Sequence, residues 1–80
     1  MTPPNDNFIF LQEYITAQIV DWIASEKKLD LDEAMRIFFN SETFEALSNP
    51  DTGMYIESPG YIYGILQEEL RRGTIHGITE

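Results

Sequence analysis

Apolar residues recur at helical spacing from Phe8 to about Glu26: Phe8, Leu11, Ile15, Ile19 and Trp22, with Ile23 beside them. At 100° per residue these positions gather on one side of a helix. Ile9 and Val20 widen that side to about half the circumference, broader than the ~100° stripe a surface helix needs. Phe10 and Tyr14 fall outside it. A face this wide suits a central helix covered by several neighbours. It equally suits a helix that offers Ile9, Val20 and Ile23 to a second copy of the chain, making a homodimer.

The chain beyond this helix is punctuated by start and stop signals. Lys27-Lys28 suits the negative end of the helix dipole. Asp30 reads as the N-cap of a second helix, with Glu33 three residues on in a capping-box position and Ala34, Ile37 and Phe38 on its inner face. Asn40-Ser41 interrupts it, and Ser41 is placed to cap a third, short helix from Glu42 to about Leu47. Phe44 and Leu47 would point inward there, Glu42 and Glu45 outward. Asn49-Pro50-Asp51-Thr52-Gly53 is a turn sequence, with Pro setting φ and Gly free to take a positive one.

Met54-Tyr55-Ile56 is expected to be extended or irregular. Ser58-Pro59 is the clearest start signal, an N-cap followed by Pro at the first helical position. The helix it opens runs to about Arg72 and ends at Gly73. It buries Ile62, Leu66 and Leu70, flanked by Ile65 and Tyr63, and Glu68 pairs with Arg72 at i,i+4. The pattern predicts an all-α bundle of about four helices, two long and two short, in a single domain over residues 7–73. A flexible lead-in over residues 1–6 precedes it. A tail over residues 74–80 follows, with Ile75 and Ile78 in a stretch too short and mixed to assign.

Charge changes the picture more than composition does. Fourteen acidic residues stand against five basic ones in 80, a formal charge of −9 on a chain that is 42% hydrophobic. Such a chain repels nucleic acid and anionic membrane. Between Arg36 and Arg71 six acids (Glu42, Glu45, Asp51, Glu57, Glu68, Glu69) occur with no base. They serve either as a solvated face that opposes aggregation or as a docking surface for a basic protein partner. No stretch approaches the ~20 apolar residues of a membrane span, and no basic-then-apolar run opens the chain, so the expected location is the cytoplasm.

Few residues offer chemistry. There is no Cys and only one His, which removes disulfides, thiolate metal sites and most others, so neither cofactor nor metal is expected. Asp30, Asp32 and Glu33 lack the further oxygen ligands and internal Gly of a calcium loop and are better explained by the helix N-terminus. Ser58, Asp51 and His76 supply triad residue types without a nucleophile elbow. Met54, Tyr55, Tyr61 and Tyr63 gather aromatic surface around the turn into the last helix, as a core rim or as a recognition patch edged by Glu57 and Glu68. Gly60 and Gly64, spaced Gly-x-x-x-Gly, would let another helix approach closely.

Two resemblances bear on function. Leu31-Asp-Glu-Ala-Met-Arg-Ile-Phe-Phe39, Thr43-Phe-Glu-Ala-Leu47 and the helix around Ile62 to Leu66 resemble a family of small uncharacterised bacterial helical proteins encoded near ADP-ribosyltransferase-like toxin genes. Ser48-Asn-Pro50 stands here where that family usually carries a His-Thr pair. The resemblance implies a non-enzymatic accessory or antitoxin-like protein. Arg71-Arg-Gly-Thr-Ile-His76 resembles the Arg-x4-His motif of HEPN-type ribonucleases. That implies RNA cleavage, with Arg71 and His76 assisting attack of the ribose 2′-hydroxyl, although Gly73 falls inside the motif and the negative charge opposes RNA. The favoured reading is therefore a non-catalytic interaction protein, engaging its partner through Met54, Tyr55, Tyr61, Tyr63, Glu42 and Glu45.

Overall fold

Four helices and two short 3₁₀ turns account for nearly all of residues 6–73, the part of the chain that the computed structural model describes. The lead-in predicted over 1–6, apart from the backbone of Asp6, lies outside the described residues, as does the tail over 74–80. Helix α1 spans Asp6–Lys27, α2 Leu31–Phe39, α3 Glu42–Leu47 and α4 Pro59–Arg72. Among the described residues there is no strand, and the fold is the all-α bundle that the apolar spacing predicts.

Ile15, Ile19 and Ile23, one helical turn apart on α1, form the spine of the core with at most 1% of their surface exposed. Ala34 and Phe38 of α2, Leu47 of α3, and Ile62 and Leu66 of α4 close around them, each fully buried. Burying a side chain of this size contributes about 1.5–3 kcal/mol, so this cluster is the main stabilising term of a domain without cross-links. α1 is the central helix. It packs against α2, against α4 and against the 3₁₀ turn at Met54–Ile56. Phe8 meets Tyr55 edge-on at 5.0 Å, and Trp22 meets Tyr63 at 5.2 Å.

That arrangement explains the wide apolar face and corrects its use. Val20 and Ile23, offered above for self-association, are buried inside the chain, Ile23 completely. The face is broad because neighbours cover it from two sides. Ile9, the third residue of that set, stays exposed, as do Phe10 and Tyr14.

The helix ends follow their local signals. The Asp30 carboxylate accepts from the Glu33 N–H at 2.9 Å, Ser41 Oγ from the Phe44 N–H at 3.0 Å and Ser58 Oγ from the Tyr61 N–H at 3.2 Å. Gly73 ends α4 in the left-handed region at φ 69°, a conformation that costs glycine nothing. At the end of α1 no glycine was available, and Lys28 takes the left-handed position itself at φ 58°. The Leu29 N–H then reaches back to the Ala24 carbonyl at 3.0 Å, the long bond of a Schellman closure.

Two expectations are corrected here. Met54-Tyr55-Ile56 is neither extended nor irregular but a single 3₁₀ turn, in which the Ile56 N–H donates to the Gly53 carbonyl at 3.1 Å. Glu68 pairs with Arg71, not Arg72, because the i+3 guanidinium reaches its carboxylate.

Candidate functional site: an apolar groove with an acidic rim

The predicted tyrosine patch does not form as one surface. Tyr61 is exposed on the outer face of α4, but Tyr63 is 9% exposed and packs inward on Trp22. Two residues along a helix are about 200° apart, so one ring must turn away from whatever side the other faces. The Tyr63 hydroxyl donates to Glu26 Oε1 at 2.8 Å. Burial, reinforced by that bond and the Glu26 charge, pushes its phenol up to about 12. Tyr55 and Met54 are half-buried against α1 and the core. Tyr63 therefore belongs to the interior. Glu42 and Glu45 are exposed on α3, as the outward face of that helix requires.

On the outer face of α4, Tyr61 lies with Gly60, Gly64, Ile65, Glu68 and Arg72 along a shallow depression. Glu68, expected at the rim of the patch, is on this face, where Arg71 holds its carboxyl below the ordinary value. A Cβ added at Gly60 or Gly64 would meet nothing within 4 Å, so among the described residues no helix uses the small-residue spacing.

The catalytic constellations are not assembled among the described residues. Arg71 is exposed and paired with Glu68, and His76 lies outside the described residues. Ser58 is engaged as the cap of α4. Asp30 is the cap of α2, and no group of His, Asp and Glu among the described residues is arranged to hold a metal ion.

One concavity is not announced by the apolar inner faces. Between α1 and α2, and closed at one end by α3, runs a groove of about 650 Å³. Leu31, Met35 and Phe39 of α2, spaced i, i+4, i+8, form one wall, and Phe44 of α3 extends it. α1 supplies the other wall with Gln12, Thr16, Ala17 and Val20. The origin of the wall lies in α2 itself, where six of nine residues are apolar. Ala34 and Phe38 take the core side, leaving Leu31 56% and Phe39 47% exposed. The Phe39 and Phe44 rings pack on each other at 4.9 Å and fix the end of the wall.

The rim carries one sign of charge. Glu13 and Asp21 edge the groove from α1, and no lysine or arginine lines it. Lys27 and Arg36 edge a different depression, beside Ile37 and Leu70. Glu45, predicted as a docking residue, borders a smaller hollow that shares Phe39 and Phe44 with the groove. Leu31, Met35 and Phe39 were not singled out from the sequence, although their period of four beside the inner face of α2 was a readable signal. Comparison of the chain with family models, curated proteins and solved structures finds no match. Among the described residues no helix is long and apolar enough to cross a membrane.

Proposed function

We propose that the chain is a non-catalytic protein-interaction module that binds a basic protein partner through the groove between α1 and α2. One observation carries this reading. Leu31 and Phe39 remain exposed, with Met35 half-buried between them, along a concave site whose charged rim residues are all carboxylates. Exposed apolar surface that is contiguous, concave and bordered by charge is what partner-binding sites offer and what a plain soluble surface avoids. The acid-rich composition supports the same reading, since it favours encounter with a basic partner. An accessory or antitoxin-like role, implied by the resemblance of residues 31–39 and 43–47, is one form such binding takes.

The test is co-purification from the native source with the wild-type chain, Phe39→Ser and Tyr61→Ser. Loss of a stoichiometric basic protein with Phe39→Ser but not with Tyr61→Ser supports the groove. Equal retention by both variants overturns it. A His76→Ala variant that keeps the partner and the cellular phenotype separates this function from RNA cleavage.

A further inference from the structure

The chemistry of the groove also defines what lies in it, and we infer that the occupant is a basic amphipathic α-helix of about nine residues' contact length. This rests on the binding role proposed above and specifies the partner. Length comes first. The α1 wall runs from Gln12 to Asp21, and nine steps at ~1.5 Å make about 13 Å, or some two and a half helical turns. Spacing comes second. Leu31, Met35 and Phe39 repeat every four residues, and the side chains that interleave with such a row stand at i, i+4 and i+7 on a helix of the partner.

Backbone chemistry disfavours the extended alternative. Both walls are helices whose N–H and C=O groups are already bonded within themselves, and no strand edge exists among the described residues. An extended peptide laid here would bury main-chain groups with nothing to pair them, whereas a helix brings its own bonds satisfied.

Charge then selects the partner. Glu13 and Asp21 stand eight residues apart on α1, roughly 12 Å along the rim, so Lys or Arg two turns apart on the occupant meets both. A second copy of the chain is a poor occupant. The exposed stripe of α1, Phe10, Tyr14 and Ala17, is flanked by the same Glu13 and Asp21, and each copy carries −9.

Three labelled 18-residue peptides test this by fluorescence anisotropy against the full chain: an amphipathic Leu/Lys helix, its Leu/Glu counterpart and a scramble of the Lys peptide. The Lys helix is expected to bind, to gain helicity on binding, and to weaken as salt rises from ~0.1 to ~1 M, where the screening length falls from about 10 to about 3 Å. Leu31→Ser combined with Phe39→Ser, which removes apolar contact without adding charge, should weaken it about tenfold or more. Glu13→Lys combined with Asp21→Lys, both exposed and removed from the core, should transfer preference to the Glu helix. Equal binding of the scramble, equal binding of the Glu helix to the unaltered chain, or no binding at all overturns the inference. If the native partner depends on Phe39 while no peptide binds, the helix is wrong and the groove stands. If the native partner ignores Phe39, the proposed function itself fails.

Discussion

The carboxylate of Glu69, buried on α4 with 4% of its surface exposed, caps helix α3 through Thr43, 26 residues earlier in the chain. It accepts the Thr43 hydroxyl at 2.7 Å, the Thr43 N–H at 3.0 Å and the neighbouring Glu42 N–H at 2.8 Å. Ser41 takes the next donor, Phe44 N–H, so the first three amides of α3 are shared between a local cap and a distant one. A six-residue helix cannot hold itself, because nucleation alone outweighs its few internal bonds. The negative group at its N-terminus also meets the positive end of the helix dipole. Through this contact α3 is joined to α4, and with it the Phe44 end of the groove is set.

Removing that carboxylate is expected to be costly. Glu69→Ala leaves two amides and a hydroxyl without their acceptor and should lower unfolding free energy by about 2–3 kcal/mol. Glu69→Gln retains one acceptor oxygen but turns an NH₂ toward donors, and should fall between the two. Urea unfolding followed by circular dichroism checks this. A Glu69→Ala chain within ~0.5 kcal/mol of the unaltered one would show that the contact contributes little.

Tyr63 makes the alkaline limb of stability its own. Its phenol is held at about 12, above the ordinary value of 10.0, so the native state keeps the proton longer than the unfolded chain does. Its contribution is therefore complete below pH ~10 and is lost as pH rises through about 12. Tyr63→Phe should lose about 1 kcal/mol at neutral pH with the Glu26 hydrogen bond. Subtracting its tyrosinate absorbance titration from that of the unaltered chain should leave one phenol with a midpoint near 12.

Lys28 occupies the left-handed stop of α1 with a side chain that this conformation disfavours. Lys28→Gly is expected to raise stability by about 0.5–1 kcal/mol, the relief of strain exceeding the entropy glycine adds to the unfolded chain. Thermal unfolding reads the change directly. A fall in the midpoint would mean that the lysine charge at the helix terminus outweighs the strain.

Gly64 lies in the interior of α4 with open space where a Cβ would go. Gly64→Ala should stabilise the chain by about 1 kcal/mol through helix propensity. Sedimentation run beside the melting experiment makes the test two-sided. A stabilised chain with unchanged sedimentation fits an unpartnered outer face. A loss of association would assign the Gly60–Gly64 face to a second subunit.

What the sequence determined by itself is the set of interactions that close within one helical turn. Asp30 with Glu33, Ser41 with Phe44, Ser58 with Tyr61 and the Gly73 stop each need partners only three or four residues away, and so the helix boundaries could be read from residue types. The all-α class followed for the same reason, from one periodicity and no alternation. Tertiary structure decided what depends on which element lies alongside. It turned Tyr63 in and Tyr61 out, buried Glu69 against a helix start 26 residues away, and enclosed Val20 and Ile23 rather than leaving them for a second copy. It also left Leu31 and Phe39 uncovered, because α2 carries more apolar surface than α1 and α3 can cover. Periodicity counts the apolar faces of a helix, and only packing shows which of them a neighbour reaches.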